Sequence, residues 1–383
     1  MNILIFSTDD HLYPAGGAES AMGEITKRSP DHEFDLVCAR LRRSAKKEET
    51  IGNVHIYRVG FGIPKLDGLI LAFFGHRKAL ALHKHRKYAL VWSIMASYGA
   101  FSAVRVKQRT GIPFLLTLQE GDDIEEILHK VRFVRRQFNE IFASADALQP
   151  ISRFLRDWGM NMGFKGAYSD VVPNGVDVSA FTKEFSEQEL QETRQSFGFP
   201  SDATIVITSS RLEKKNGVGD VIEALTLLPK DVCFVVCGDG SLKSVLEKKV
   251  EDLGLRDRVR FSGYLPIEEL PKLLKASDIF IRPSRTEGLG NAFLEAMAAG
   301  LPTIGTPVGG IPDFLTEGET GFLCKPGDPV SIKETILKTA ALTESRKKAL
   351  QDRAKELVLR AYNWELIAKK MNDLFEALTK KEA

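Results

Sequence analysis

The chain has 383 residues, of which 43% are hydrophobic and 27% charged, with a formal net charge of +2. That length suits about two domains, and the composition is that of a globular chain with real cores, without internal repeats or low-complexity stretches. A charge this near balance gives no electrostatic case for nucleic acid. The opening residues MNILIFST carry no basic leader and no cleavage site, and read as a buried strand. The longest early apolar stretch, 69–74, is too short to span a bilayer. A cytoplasmic protein is expected. Short β-rich runs then alternate with helical patterns. Strands are expected at 3–6, 34–38, 55–59, 90–93, 113–118 and 147–150, and in a second set at 204–208, 233–237, 260–262, 279–282 and 303–305. Strands spaced by helix-length connections form parallel sheets covered on both faces, so two sets predict an α/β protein of two doubly wound, Rossmann-like domains. Between them, VVPNGVD (171–177) has turn chemistry, and 181–199 reads as polar and helical. The expected domains are 1–180 and 181–363. A closing amphipathic helix within 364–383 puts Leu366, Ile367, Met371, Leu374 and Phe375 on one face, suited to packing on either domain, including back on the first. Cys38, Cys233, Cys237 and Cys324 make no CxxC pair and read as core thiols.

The chemistry-bearing segments follow the same order. After the first strand, a loop with Tyr13, Gly16, Gly17 and Glu19 precedes a helix. Paired glycines there let a phosphate or an acceptor approach, or simply make a tight turn. The loop is not GxGxxG, which argues against a nicotinamide enzyme. In 66–90, Leu66, Leu69, Ile70, Phe73 and Phe74 recur at helical spacing and run into basic clusters at 76–78 and 83–87. Lys130, Arg132, Arg135 and Arg136 form a second basic pattern. Such a face either packs on the core or meets an anionic membrane. Gln119, Glu120 and Asp122 follow the strand 113–118. Gln119 cannot carry a proton, while Glu120 and Asp122 either bind acceptor hydroxyls or cap a helix.

In the second half, Arg211 and Lys215 follow a strand, where two fixed cations would stabilise a departing phosphate; the adjacent Lys214 is the alternative lysine. Gly238, Asp239 and Gly240 end another strand, either as a turn or as backbone a ligand can approach. In SRTEGLGNAFLEAMAAG (284–300), Glu287 lies on a glycine-rich turn and Glu295 about one turn into a helix that Asn291 opens and Gly300 closes. The N–H groups of Gly288, Leu289, Gly290 and Asn291 point from that helix N-terminus, a place for a diphosphate. An anion flanked by two carboxylates that accept from hydroxyls describes a nucleotide sugar; a capped helix with two solvated glutamates is the plain alternative. No DxD-like pair follows a strand, and no histidine spacing suits a metal. Neither metal nor cofactor is expected.

Four segments carry a resemblance: SSRLEKKNG (209–217), VVCGDGSL (235–242), residues 260–313, and VVPNGVD (171–177). In this order and spacing they resemble the retaining glycosyltransferases of family 4, which have the GT-B fold of two Rossmann-like domains facing across a cleft. The resemblance covers nearly the whole chain and is strongest over 203–323. It implies an acceptor-binding N-terminal domain and a donor-binding C-terminal domain. It makes Arg211, Lys215 and Glu287 the catalytic candidates, with Glu287 on the donor sugar's hydroxyls and the cations on the leaving diphosphate. Glu295 would hold the ribose, and the backbone of Gly288, Leu289, Gly290 and Asn291 the diphosphate. Gly16, Gly17, Gln119, Asn174, Gly238, Asp239, Gly240, Ser262 and Gly263 complete the implied donor site, the backbone of 260–263 reading the nucleobase. Glu19, Glu120 and Asp122 are the acceptor-side candidates. Two departures matter: relatives often carry histidine where this chain has Gln119, and many place the lysine where it has Asn216.

The expected activity is retaining, metal-independent transfer from a UDP- or GDP-sugar to a hydroxyl acceptor, in cell-surface glycan, lipid-linked saccharide or glycolipid synthesis. The partners would be the donor, a saccharide or lipid-linked acceptor, and peripherally an anionic membrane. The alternatives are a sucrose- or glycogen-synthase-like transferase acting on a soluble sugar, and a non-catalytic nucleotide-sugar binder.

Overall fold

The computed structural model describes residues 1–10 and 17–380. The chain forms two compact units, Met1–Gly175 with the segment from Trp364 onward, and Val176–Asn363. The first unit ends at Gly175, so 176–180 belong to the second.

The first unit holds a seven-stranded sheet of β1 (Asn2–Phe6), β2 (Glu33–Ala39), β3 (Glu48–Ile51), β4 (Val54–Val59), β5 (Leu90–Ile94), β6 (Phe114–Leu118) and β7 (Ala147–Pro150), in the order β3-β4-β2-β1-β5-β6-β7. All pairs are parallel except β3 with β4. Polar β3, EETI, carries no apolar alternation and escaped the sequence reading. β5 and β6 are buried at every position, as a sheet covered on both faces requires. The chain leaves β1 toward β2 on one side and returns to β5 on the other, so its switch point lies between β1 and β5.

Helix α1 (Gly17–Lys27) packs beside the C-terminal helix Trp364–Thr379. That helix buries Trp364, Ile367, Met371, Leu374 and Phe375 in the first unit's core with Ile3, Ile5, Phe34 and Trp92. Leu366, expected on the same face, is exposed instead. Helices α2 (Pro64–Arg86), α3 (Tyr98–Thr110), α4 (Ile124–Lys130) and α5 (Arg135–Ser144) follow, with α3 packed between α2 and α5.

The second unit holds β8 (Thr204–Ser209), β9 (Val232–Cys237), β10 (Val259–Gly263), β11 (Ile279–Ile281), β12 (Thr303–Gly305) and β13 (Phe322–Leu323). All pairs are parallel, in the order β10-β9-β8-β11-β12-β13. Its switch point lies between β8 and β11. Two-residue β13 was too short to be read from sequence. All four cysteines are free and buried; burial pushes the Cys237 thiol up to about 11 and Cys324 to about 12.

Candidate active site

In a doubly wound sheet the loops after the two strands flanking the switch point form the ligand crevice. In the second unit these are 210–217, after β8, and 282–290, after β11. They hold the arginine and lysine and the first of the two glutamates. Sheet order thus brings together residues about 70 positions apart in sequence.

The first loop is tied at several points. The Leu212 N–H donates to the Asp239 carbonyl (2.9 Å), and the Glu213 carboxylate accepts from the Ser241 hydroxyl (2.7 Å) and N–H (3.1 Å). Those two bonds, and then Arg211 and Lys215 nearby, hold the Glu213 carboxyl below its ordinary value. The buried Asn216 side chain donates to the Arg211 carbonyl (2.6 Å). Position 216 therefore closes the loop from inside. Lys215 is half-buried and Lys214 exposed, both on a 3-10 turn, and the Arg285 N–H bonds the Lys215 carbonyl (2.7 Å). One Arg285 guanidinium nitrogen also donates to both carboxylate oxygens of Asp220 (2.8 Å each). Arg211, exposed, stands at the loop's start.

Gly238 and Gly240 have an internal reason to be glycine. A Cβ at Gly238, which has φ 138°, would lie 1.9 Å from the Ser210 carbonyl oxygen, and one at Gly240 2.6 Å from the Leu212 backbone. The chain's own first loop makes the close approach. Asp239 accepts from the Gly240 N–H (2.8 Å). Ser262 donates to the Val236 carbonyl (3.3 Å), and Gly263 accepts from the Gly238 N–H (2.7 Å), at a bulge ending β10.

The second loop is built around a residue the sequence reading passed over. Arg282 directly follows β11, is buried, donates to the Glu287 carboxylate, and lies 4.6 Å above the Phe293 ring. A charged side chain closing an apolar strand was the available signal. The other Glu287 oxygen accepts from the Gly288 N–H (3.2 Å). The Glu287 carbonyl accepts from Gly310 (3.2 Å), and only glycine fits at 309, where a Cβ would stand 1.7 Å from that carbonyl oxygen. Gly288, Leu289 and Gly290 are buried and Asn291 half-buried. The helix Asn291–Ala298 begins at Gly290 with no side-chain cap among the described residues. Glu295 keeps some exposed surface, but the protein crowded around its carboxyl desolvates it and pushes it up to about 7, with Arg282 pulling the other way. One buried guanidinium thus acts on both glutamates. Arg282 Nε, Ser284 Oγ, Thr208 Oγ1 and Ser210 Oγ, all buried without a hydrogen-bond partner among the described residues, gather at the carboxyl ends of β8 and β11.

In the first unit, the buried Asn174 amide donates to the Gln119 side-chain oxygen (3.1 Å). Glu120 has one carboxylate oxygen, Oε2, with no hydrogen-bond partner among the described residues. It is buried, accepts from the Ala96 N–H (2.8 Å), and burial pushes its carboxyl up to about 7. Glu120 and Asp122 do not cap α4; Asp123 does, accepting from Glu125 (2.7 Å) and Glu126 (3.4 Å). Exposed Asp122 stands just before it. Met95, between β5 and α3, has φ 66°, a left-handed conformation unusual for a side chain with a Cβ. Gly17 opens α1 and Glu19 lies half-buried in its first turn. Tyr13 and Gly16 lie outside the described residues. Among the described residues no cluster of three His, Cys, Asp or Glu is placed to hold a metal.

Two α/β units, each with a largely parallel sheet and its own switch point, make up the GT-B fold. Residues 15–180 match the family described as Glycosyltransferase Family 4, and 190–357 the one described as Glycosyl transferases group 1. The chain belongs to glycosyltransferase family 4. It is 29% identical over 232 residues to the amylovoran biosynthesis glycosyltransferase AmsK of Erwinia amylovora, covering 58% of this chain and 54% of that one. It is 27% identical over 254 residues to a GDP-mannose-dependent monoacylated phosphatidylinositol monomannoside mannosyltransferase of Corynebacterium glutamicum, 63% of this chain and 65% of that one. The chain spans about half the length of the first curated relatives it matches. Anabaena HepE, solved in complex with UDP and glucose, superposes with a TM-score of 0.80 at 20% identity, over 98% of this chain and all of that one.

Proposed function

We propose that the protein transfers a hexose-type sugar from a UDP- or GDP-sugar to a hydroxyl acceptor, with retention at the anomeric carbon and without a metal ion. The observation that carries this reading is the convergence, at one switch point, of the clamped Arg211–Lys215 loop, the buried Arg282–Glu287 pair and an uncapped helix N-terminus. The diphosphate would lie on the N–H groups of 288–291, with Arg211 and Lys215 beside it. As the C1–oxygen bond breaks, its electrons pass to the diphosphate, and the two cations stabilise the growing charge. They do the work a metal would do. The acceptor oxygen bonds C1 on the face the diphosphate leaves, and a donor phosphate oxygen takes the acceptor's proton. This route needs no general base, which suits a chain with Gln119 where relatives often carry histidine. Glu287, held in place by Arg282, would orient the sugar hydroxyls, and Glu295 the ribose diol.

HepE's complex with UDP and glucose and the mannosyltransferase's GDP-mannose support a nucleotide-sugar donor. AmsK, named for amylovoran biosynthesis, and the phosphatidylinositol monomannoside mannosyltransferase support a role in polysaccharide or glycolipid synthesis, which we assign to the cytoplasm with peripheral contact to an anionic membrane. The test is a thermal-shift screen of UDP-, GDP- and ADP-sugars, followed by NMR of the transferred sugar's anomeric proton. A protein stabilised by none of them would overturn the reading, and an inverted product would overturn the mechanism.

A further inference from the structure

Helix α2 is built inside out. An ordinary surface helix turns its large apolar residues to the core. Here the buried face is Asp67, Gly68, Leu71, Ala72, Gly75, His76 and Ala79. The apolar repeat of the sequence faces outward: Leu66, Leu69, Phe73 and Phe74 are exposed, the two phenylalanines at 53% and 49%. Phe61 (67%) and Ile63 continue the patch into the preceding turn. The orientation is fixed by close packing. A Cβ at Gly75 would lie 3.0 Å from the Ser102 hydroxyl of α3, and that hydroxyl donates to the Leu71 carbonyl (2.6 Å) and accepts from the His76 N–H (3.0 Å). The Asp67 carboxylate accepts from the N–H groups of Phe61 (2.8 Å), Gly62 (2.6 Å) and Ile63 (2.9 Å). Rolling the helix to bury its phenylalanines would break all of these.

The surroundings are cationic. Across α2 and α3 the sole carboxylate is Asp67, and it is buried. The Arg77 guanidinium stands 4.9 Å above the Phe74 ring and that of Arg105 5.7 Å from the Phe73 ring. Exposed Lys65, Lys84 and Arg109 add charge. In the same helical layer, Phe133 is 85% exposed with Arg132 stacked 4.4 Å from it, just before α5. α2 starts just after β4 and α3 just after β5, and α5 leads into β7. The starts of these helices, with Phe61, Leu66, Tyr98 and Phe133, therefore lie toward the carboxyl edge of the first sheet, where doubly wound sheets bind substrates.

We propose that this face of α2, flanked by α3 and 130–136, docks on an anionic lipid bilayer. Apolar side chains among arginines and lysines, with no exposed carboxylate on α2 or α3 themselves and with Glu48 and Glu126 at the margins paired to Lys78 and Lys130, match the boundary between acyl chains and acidic headgroups. Docking there sets the first unit's carboxyl edge against the bilayer, where a lipid-borne acceptor is presented. That last step rests on the glycosyl-transfer reading; the docking does not. Among the described residues no helix is long and apolar enough to cross a membrane, and the attachment proposed for this face is peripheral.

The test is co-sedimentation of the full chain with vesicles of phosphatidylcholine, with and without phosphatidylglycerol. The expected result is binding that requires phosphatidylglycerol and weakens with salt. A Leu69→Ser, Phe73→Ser double variant and an Arg77→Glu variant should each lose about tenfold in partitioning. Melting temperatures should not move, because these side chains contribute little to the core. Equal binding to both vesicle types, no binding, or unchanged binding by both variants overturns the proposal. So does a self-association that the double variant abolishes in a protein that ignores vesicles, since the patch is then an interface between copies. Vesicle binding by a protein that no nucleotide sugar stabilises would leave docking standing and sink the transfer reading. The reverse pattern would do the opposite.

Discussion

Arg282→Met removes the cation that touches Glu287 and acts on Glu295. The Arg282 and Glu287 side chains are 8% and 16% exposed, so losing one partner strands a largely buried charge. Breaking such a pair costs about 3 kcal/mol at the lower end of its usual range, and the lost stacking on Phe293 adds about 1 kcal/mol. Glu287→Gln alone leaves the arginine unpaired and costs about 2 kcal/mol. The double variant strands neither charge, so its cost should fall below the sum of the singles by about 2 kcal/mol. Chemical denaturation measures this, with one condition on the probe. All three tryptophans, Trp92, Trp158 and Trp364, belong to the first unit, so the second is followed by far-UV circular dichroism. Arg282→Met should also weaken UDP- or GDP-sugar binding about tenfold, by freeing the Glu287 carboxylate and letting Glu295 take a proton near neutral pH. Additive costs, with donor affinity unchanged, would refute the idea that Arg282 holds the glutamates.

Glu120 gives a pH signature of known sign. Its carboxyl sits at about 7 in the folded chain against 4.5 unperturbed. Ionising it costs nothing below 4.5, progressively more up to 7, and the full amount above 7. Glu120→Gln keeps an acceptor for the Ala96 N–H and should raise stability at pH 8 by at most about 3 kcal/mol, with no gain at pH 4. Tryptophan emission during urea unfolding checks it, and an equal effect at both pH values counts against it. Lys215→Ala should reduce transfer at least a hundredfold while Lys214→Ala stays near wild type. If the reverse is found, the phosphate-facing lysine is 214. Chelator should leave the transfer rate unchanged. Ending the chain at Asn363 removes Ile367, Met371, Leu374 and Phe375 from the first unit's core, so its near-UV circular dichroism should collapse.

Strong local patterns carried much of the fold. The apolar strands β5, β6, β8 and β9 and the Asn291 helix start were legible because short β-rich runs and glycine-rich helix entries are local signals. β3 and β13 were not, since one is polar and the other two residues long. The direction of α2 was illegible for a deeper reason. Its heptad-like apolar spacing shows which side chains share a face, but not which face meets the sheet. That was settled by Gly68, Ala72, Gly75 and Ala79, which let α3 approach more closely than leucine or phenylalanine would allow.

The same limit explains Arg282. Its position after Ile279–Ile281 reads as a charged residue leaving a strand, which solvent normally takes. Sheet order gives it another fate. β11 lies beside β8 rather than extending the row beyond β10, so the arginine emerges at the crowded switch point next to the 210–217 loop. There it has Phe293 below it and Glu287 as its partner. The two glutamates looked from sequence like independent ligands on either side of an anion. With a buried cation acting on both, their charges are coupled. Changing Glu287 should then alter how Glu295 titrates, and NMR titration of the Glu295 carboxyl in the Glu287→Gln variant measures that coupling. Freeing Arg282 to act on Glu295 alone should lower its midpoint below about 7. An unmoved midpoint would mean that Arg282 serves Glu287 alone.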